Sequence, residues 1–280
     1  MDAVAATGAE YAFLALPHGK AAGYAVPLLE KGIKVIDLSA DFRLRSPETY
    51  EEFYGEGHPA PELLAEAVYG LPEVHRDAIK SAKLIASPGC YPTSILLPLL
   101  PLLREKLIDP TTIVANSMSG VSGAGKKADL ALLFVECNES VRAYGVPKHR
   151  HLSEIEQELS AAAGSTVTIS FIPHLVPVNA GICTTTTATL TGDPAAVEHA
   201  LRSTYQNAPF VRLLGEGRCP DTKHVTRSNF IDIGWSFDQR TGRLILMSAE
   251  DNLGKGAGSQ ALQSFNIAAG LDESSGLQCV

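Results

Sequence analysis

The sequence predicts an α/β protein in two parts: a parallel sheet first, then an α+β region with a mixed, largely antiparallel sheet. Near the start, a strand, a helix and a strand follow one another over ~30 residues, an order that favours parallel pairing. After residue 107 the texture changes, and stretches of alternating apolar and polar residues become frequent. The composition is that of a globular protein, with 45% hydrophobic and 19% charged residues in a chain of 280.

Three apolar runs are the predicted strands of the first part. The run "YAFLALP" is stopped by Pro17, and "KAAGYAVPLLEKG" after it has helical spacing up to Gly32. "IKVIDLSADF" is the second predicted strand, and "AKLIAS" is the third and leads to Cys90. Open α/β sheets bind ligands at the carboxyl ends of their strands, so we expect the loops after these strands to share one crevice.

The second part contains the predicted strands "TTIVANSMSG", "STVTISFIPHLV" and "GICTTTTATLTGD" and the predicted helix "AAVEHALRSTYQN". The segment "RSNFIDIGWSFDQRTGRLILMSAED" predicts a hairpin that turns near Arg240. A glycine-rich entry and a helix to Gly270 follow, and "LDESSGLQCV" is expected to be a loose tail.

Composition excludes several classes of function. A net charge of −8 gives no bulk attraction to nucleic acid. The five cysteines are odd in number, widely spaced and without a CxxC, which predicts reduced thiols and hence the cytoplasm. The start lacks a charged region followed by a long apolar stretch, and no segment reaches ~18 uninterrupted apolar residues, so we expect neither secretion nor a membrane span.

The stretch "SPGCYPT" places Cys90 between a Pro-Gly turn and an apolar run that predicts a helix. Unpaired N–H groups and the helix dipole stabilise negative charge at such a position, which favours the thiolate over the thiol. A nucleophile also needs a base. The alternative is a small buried cysteine at a helix entry.

The segment "PKHRHLSEIEQEL" supplies histidines that could serve as that base. His149 and His151 are predicted to lie just outside a helix, with Ser153 as its N-cap and Glu156 at the capping-box position. Either ring could transfer a proton near neutral pH. A metal pair is the alternative, but no third ligand is evident nearby, so we predict no metal.

Two glycine-rich segments could approach a phosphate. "SMSGVSGAGKK" ends on Lys126 and Lys127 and lacks the P-loop spacing, and "DNLGKGAGSQ" contains Lys255. Each could also be a flexible turn. Arg43 follows a predicted strand and could clamp a carboxylate or phosphate, although a surface salt bridge is a commoner use of such an arginine.

Seven segments, read in order, resemble the N-acetyl-gamma-glutamyl-phosphate reductases, relatives of the aspartate-semialdehyde dehydrogenases. The segments are "ALPHG", "DLSADFRL", "AVYGLPE", "SPGCYPTSILLPLLPLL", "SMSGVSGAGKK", "AYGVPKHRHLSEIEQEL" and "DNLGKGAGSQALQ". The resemblance implies NADPH-dependent reduction of an acyl phosphate through a cysteine thioester, in arginine biosynthesis. It also implies a homodimer or homotetramer.

The resemblance assigns roles to individual residues. Cys90 corresponds to the nucleophile and His149 to the acid/base residue, with His151 as the second choice. The substrate-binding residues it implies are Arg43, Lys126, Lys127, His151 and Glu154. The cofactor-binding residues it implies are Ser119, Gly120, Ser122, Gly123, Gly125, Asn252, Leu253, Gly254, Lys255 and Gly256.

The same resemblance predicts the domains. Residues 1–89 and 253–280 would form a Rossmann-type NADP-binding domain, and residues 90–252 a catalytic and dimerisation domain. Family members carry a first strand and a GxxGxxG turn ahead of the strand that begins at Tyr11, so we expect an N-terminally shortened Rossmann sheet. A lost transit peptide would make a plastid an alternative compartment.

Three other functions remain open at this stage. The substrate could be an aminoadipyl phosphate, which undergoes the same chemistry. The chain could be a non-catalytic assembly partner. It could also be a cysteine hydrolase built on Cys90 and His149, which would release an acid rather than an aldehyde.

Overall fold

The computed structural model describes residues 8–125 and 128–277. Within these residues the chain divides into two compact units. The first unit contains residues 8–89 and 257–277, and the second contains residues 90–256.

The first unit is built on a sheet in which every described pairing is parallel, in the order β1-β2-β4-β3. Apart from Lys34 at the start of β2, its inner strands are buried, as expected for a parallel sheet with helices packed on it. The described strands are β1 (Tyr11–Leu14), β2 (Lys34–Asp37), β3 (Val68–Tyr69) and β4 (Leu84–Ala86), and the helices are α1 (Ala22–Glu30), α2 (Pro47–Tyr54), α3 (Pro72–Ser81) and, from the end of the chain, α8 (Ser259–Ala268).

The start of α1 is held by a carboxylate from the loop after β2. Asp41 is fully buried and accepts hydrogen bonds from the backbone N–H groups of Gly19, Ala21 and Ala22 at 2.6, 2.9 and 3.2 Å. The hydroxyl of Tyr50 donates to it as well, at 3.1 Å. The helix therefore receives its N-terminal hydrogen-bond acceptor from a distant part of the chain, because Ala21 at the N-cap has no side-chain acceptor.

The second unit is built on a mixed sheet in the order β6-β7-β5-β8-β11-β10-β9. Among the described pairings of this sheet, only β5/β7 and β9/β10 are parallel. The strands are β5 (Ile108–Ser119), β6 (Arg142–Ala143), β7 (Ser170–Leu175), β8 (Ile182–Leu190), β9 (Val211–Glu216), β10 (Ile231–Asp238) and β11 (Arg243–Glu250), and the helices are α4 (Cys90–Arg104), α5 (Phe134–Cys137), α6 (His151–Ala163) and α7 (Pro194–Tyr205).

Helix α4 packs on one face of this sheet through small polar side chains. The hydroxyl of Thr184 forms one hydrogen bond with the hydroxyl of Ser94 and another with that of Ser117, each 2.8 Å long. Ser248 donates to the carbonyl of Ser94 at 2.7 Å. Because α4 is buried along almost its whole length, these bonds satisfy polar groups that water cannot reach.

The predicted fold class is confirmed, with differences in detail. The sequence predictions missed β3, α2 and α3, which are short and lie between the recognised strands. The helix after the histidines begins at His151, so the prediction of Ser153 as N-cap was wrong; the Ser153 hydroxyl lies inside the helix and donates to the carbonyl of Arg150. The Glu156 carboxylate accepts from the N–H of Ile169 instead of closing a capping box.

The prediction of a loose tail was also wrong for residues 271–277. Glu273 forms an ion pair with Arg76 and accepts a hydrogen bond from Gln263 at 2.7 Å. The side chain of Asn266 donates to the carbonyls of Glu273 and Ser275. The tail therefore packs within the first unit.

Candidate active site

Cys90 is the first residue of α4 and remains partly exposed. Its thiol therefore lies where the positive end of the helix dipole favours a thiolate, while a reagent can still reach it. The helix continues through two internal prolines, Pro98 and Pro101, to Arg104, and its apolar residues are buried.

Two tyrosines surround this position. The hydroxyls of Tyr91 and Tyr144 form a 2.7 Å hydrogen bond. The pKa of Tyr91 lies well above its usual range, first because of burial and then because of Tyr144 and the charge of Cys90. Burial raises the pKa of Tyr144 to about 12, and the charge of Cys90 contributes. Both hydroxyls are therefore neutral at physiological pH, and both are electrostatically coupled to the thiol.

His149 packs against the same two tyrosines, with ring centroids 5.6 Å from Tyr91 and 5.5 Å from Tyr144. Its ring occupies space that a side chain at Gly145 would fill, since an added Cβ there would lie 2.9 Å from Cδ2 of His149. Burial, with a smaller contribution from the positive charge of Arg150, lowers the pKa of His149 to about 4. The imidazole is therefore neutral near pH 7.

The hydrogen bond at Nδ1 defines the tautomer of His149. The backbone N–H of His151 donates to Nδ1 of His149 at 3.1 Å. A neutral imidazole whose Nδ1 accepts a hydrogen bond carries its proton on Nε2. His149 therefore presents an N–H donor at Nε2.

His151 and Glu154, predicted to bind substrate, both lie in the first turn of α6 and are buried, with 9% and 1% of their surface exposed. The His151 ring lies 4.9 Å from that of His149 and 5.9 Å from that of Tyr91. Both predicted substrate residues are thus in the same unit as Cys90 and His149.

The loop of residues 119–125, predicted to bind the cofactor, is held closely against its own unit. An added Cβ on Gly120 would lie 2.8 Å from the carbonyl of Asn179, and one on Gly123 would lie 2.7 Å from Oγ of Ser119. Gly125 has a φ of +69° and open space around it. Glycine at positions 120 and 123 allows this tight packing, and the predicted contact of the loop with a cofactor stays a prediction.

Asn252 connects the second predicted cofactor segment to the first. Its amide donates to Oγ of Ser122 at 3.0 Å and accepts from the N–H of Gly181 at 2.7 Å. The loops predicted to bind the cofactor, 119–125 and 252–256, are therefore joined by a buried side chain.

The segment after Asn252 turns sharply around Asp251, whose carboxylate accepts from the N–H groups of Leu253 and Gly254. An added Cβ on Gly254 would lie 2.3 Å from the carbonyl of Ser228, so only glycine fits. The Leu253 side chain is 56% exposed, whereas Lys255 is fully buried. Lys255 is thus part of the packed turn, and the predicted contact with a cofactor stays a prediction.

Glu250 is a charged residue that the sequence predictions missed. It is the last residue of β11 and is fully buried. A Cβ placed on Gly256 would lie 3.0 Å from Oε1 of Glu250 and 2.8 Å from Cβ of Cys90. A carboxylate next to a cysteine has no local sequence signal, because their proximity depends on how a strand packs on a helix.

Arg43 lies in the first unit, where its Nη2 donates to the carbonyl of Leu38 at 2.9 Å and its charge acts on the nearby Asp37. Burial raises the pKa of Asp37 to about 6. Arg43 is thus part of the loop after β2, and its predicted contact with substrate stays a prediction. Lys126 and Lys127 fall outside the described residues.

Residues 8–125 and 128–277 contain no group of three or more His, Cys, Asp or Glu side chains placed to hold a metal ion. Within these residues, every helix is too short or too polar to cross a lipid bilayer.

Both parts of the chain match models of known protein families. Residues 1–82 match a family model described as "Semialdehyde dehydrogenase, NAD binding domain", and residues 90–252 match "Semialdehyde dehydrogenase, dimerisation domain". A protein of Akkermansia muciniphila named N-acetyl-gamma-glutamyl-phosphate reductase is 64% identical over 279 residues, which cover 99% of this chain and 80% of that protein. A protein of the same name from Moorella thermoacetica is 52% identical, with 96% and 79% covered.

Solved structures share the fold. Aspartate semialdehyde dehydrogenase II of Vibrio cholerae superposes with a TM-score of 0.71 at 17% identity, over 93% of this chain and 79% of that one. The Candida albicans aspartate semialdehyde dehydrogenase, solved with NADP, gives a TM-score of 0.59 at 14% identity, over 93% and 78%.

Proposed function

Because the chain belongs to the semialdehyde dehydrogenase family, whose members are oxidoreductases, we propose that it reduces N-acetyl-gamma-glutamyl phosphate to N-acetylglutamate semialdehyde and phosphate, in arginine biosynthesis. Two relatives that carry this name are 64% and 52% identical to the chain. Their bacterial origin supports the cytoplasm as its compartment.

The first half of the proposed reaction uses Cys90. Its sulfur attacks the acyl carbon, and phosphate leaves, so that the acyl group is held as a thioester. The helix start favours the thiolate. The observation that carries this proposal is a partly exposed cysteine at the first position of a buried helix, in the same unit as the two tyrosines and His149.

The second half needs a hydride and a donor for the developing oxyanion. When bound, NADPH supplies the hydride that converts the thioester to the aldehyde. His149 presents Nε2–H as a hydrogen-bond donor to the oxyanion, since its Nδ1 is occupied by the N–H of His151. A neutral imidazole can do this without first being protonated.

The loops of residues 119–125 and 252–256 would hold the nicotinamide end of the cofactor. The fit is supported by the open space around Gly125 and by the Asn252 side chain that joins the loops. The match to an NAD-binding family model supports a nicotinamide dinucleotide. NADPH rather than NADH is the finer part of the proposal.

The decisive experiment mixes the purified protein with N-acetyl-gamma-glutamyl phosphate in the absence of cofactor and digests it for mass spectrometry. We expect an acyl adduct on Cys90 that disappears when NADPH is added, with release of semialdehyde. The aminoadipyl analogue and NADH are compared in the same assay at equal concentration. Absence of both adduct and aldehyde would refute the function, and preference for the analogue would change the substrate.

We also propose a homodimer that pairs the open face of the mixed sheet with the same face of a second copy. In the described residues, the helices that pack on this sheet cover the face that includes Ser117 and Thr184. The strand register places Met118, Thr185 and Met247 on the opposite face, and Met118 is 48% exposed. The family model for this region is described as a dimerisation domain.

Sedimentation of a charged variant tests the interface. Thr185→Arg should shift the protein to a smaller species, because like charges would meet near the centre of the interface. Tyr24→Lys, at a 47% exposed position of the first unit, is the control and should sediment as the wild type. A dimeric Thr185→Arg protein would exclude this face.

A further inference from the structure

Two cysteines of the second unit, Cys183 and Cys219, have no part in the proposed reaction, and both carry free thiols. Cys183 is the second residue of β8 and is half-buried, whereas Cys219 follows β9 and is exposed. The strand register pairs Cys183 with Met118, so its side chain lies on the open face of the mixed sheet. A segment that crosses this face can therefore reach the Cys183 thiol.

The loop after β9 crosses the open face. At its start it covers β10, because a Cβ added to Gly234 would overlap the carbonyl oxygen of Arg218 and would lie 3.6 Å from Pro220. Further along, it reaches the beginning of β8, where a Cβ added to Gly181 would lie 3.1 Å from the side chain of Thr222. Strand β11 lies between β10 and β8. The loop thus passes from β10 over β11 to β8.

The strand register shows that this path runs beside Cys183. Gly234 is level with Thr185, two residues after Cys183, and Gly181 is two residues before it. The straight route between the two glycines therefore crosses the row of Cys183 above Ala249, which is its partner on β11. Ala249 is fully buried although its side chain is on the open face, as a covering loop requires.

The charges in the loop act on Cys183. Its pKa is raised first by burial and then by the negative charges of Asp221 and Cys219, both of which belong to the crossing segment. Cys183 is therefore held as the neutral thiol. The exposed Cys219 is the thiol that a dissolved oxidant meets first.

We propose that Cys183 and Cys219 form a redox modification site, which hydrogen peroxide converts to a disulfide within one chain. Peroxide oxidises the Cys219 thiol to a sulfenic acid and releases one water. The Cys183 sulfur then attacks the sulfenic sulfur, the S–O bond breaks, and hydroxide leaves with the Cys183 proton as a second water. The two thiols lose two electrons and the peroxide gains them.

The disulfide would fix the crossing loop to β8, because it holds its two Cα atoms about 4.4–6.8 Å apart. A dithiol reductant would reverse the reaction by exchange. Disulfides in a reducing cytoplasm are usually transient, which suits a reversible modification of this kind. The oxidant has to reach only Cys219, since Cys183 reacts from within the same chain.

The test treats the purified full-length protein with hydrogen peroxide, blocks the remaining thiols with iodoacetamide and digests the protein with trypsin without reduction. Trypsin cuts after Arg202 and Arg218, so the two cysteines fall in separate peptides. Mass spectrometry should find these peptides linked, at two hydrogens below their summed mass, and dithiothreitol should separate them. Cys183→Ser should leave Cys219 as a sulfenic acid that dimedone labels. Cys137→Ser, at a buried cysteine of the same unit, is the control and should form the link as the wild type does.

Three results would overturn the proposal. In the wild type, Cys219 could proceed to sulfinic acid without a linked peptide, a disulfide could join two chains and give a dimer on a non-reducing gel, or either cysteine could be linked to Cys90. If Cys183→Ser does not fold, Cys183→Ala replaces it, and equal dimedone labelling of Cys219 in variant and wild type would count against the proposal. These measurements use neither acyl phosphate nor cofactor, so their outcome is independent of the proposed reductase function.

Discussion

Helices α1 and α4 both follow a strand of the parallel sheet, and they use their N-termini for opposite purposes. At α1 the partial positive charge is satisfied by Asp41, a buried carboxylate that accepts three backbone N–H groups and a tyrosine hydroxyl. At α4 the first residue is Cys90, whose thiol stays partly exposed. The same electrostatic feature thus stabilises the fold in one unit and prepares a nucleophile in the other.

The two units also differ in how burial shifts their ionisable groups. In the first unit burial raises the pKa of Asp37 to about 6, while two hydrogen bonds from Ser39 retain part of its acidity. In the second unit burial lowers the pKa of His149 to about 4. Burial favours the neutral form in both cases, but only the second group lies in the same unit as Cys90, where it packs against Tyr91 and Tyr144.

The largest expected effect is the loss of activity in Cys90→Ser. Reduction of NADP by the semialdehyde in the presence of phosphate should fall by at least about 10⁴-fold, as is usual when a covalent nucleophile is removed. The free energy of unfolding should change by less than about 1 kcal/mol, because the position is partly exposed. Cys219→Ser, at an exposed cysteine of the same unit, should keep full activity. Retained turnover in Cys90→Ser would end the assignment of the nucleophile.

For Asp41→Asn we expect the main effect to be on stability rather than on activity. The substitution should lower the free energy of unfolding by about 3 kcal/mol. The amide turns an NH₂ group toward buried N–H donors and leaves at least one of them unsatisfied. Urea unfolding of this variant is compared with that of Asp77→Asn, which replaces an exposed side chain and should shift stability by less than about 0.5 kcal/mol. Equal midpoints for the two variants would show that the cap contributes little.

His149→Gln should change how stability depends on pH. The folded pKa of His149 is about 4 and the ordinary value is 6.5, so between these values the unfolded chain binds a proton that the folded protein refuses. As the pH falls from 6.5 to 4, the wild type should lose up to about 3 kcal/mol of stability through this group. The variant lacks that loss, and urea unfolding from pH 4 to 7 measures the difference. Parallel curves would show that His149 titrates normally in the folded state.

The smallest effect is expected for Gly145→Ala, at about 1 to 2 kcal/mol. A φ of +62° costs an alanine about 1 kcal/mol, and its Cβ would press on Cδ2 of His149 at 2.9 Å. Gly164→Ala is the matched control, since φ is +68° there but nothing lies within 4 Å. The imidazole resonances of His149 should shift in the first variant alone, and identical spectra would show that the ring is held by other contacts.

Several features of the site could be predicted from the sequence because they depend on residues that are close together in the chain. The Pro-Gly turn before an apolar run predicts that Cys90 lies at a helix start, and alternation predicts the strands of the mixed sheet. The local sequence pattern gave the wrong helix start where two start positions, only a few residues apart, were both plausible. Ser153 has the N-cap pattern, but the helix starts two residues earlier and encloses it.

Other features arise only when distant segments meet. Asp41 reaches the start of α1 from about 20 residues away in sequence, and Glu250 reaches Cys90 because β11 packs on α4 in a particular register. The tautomer of His149 depends on one backbone N–H. The sequence by itself determines which side chains can ionise and where the backbone can turn. The charge that each ionisable group carries depends on its burial and its hydrogen-bond partners. These exist only after long-range packing has removed water.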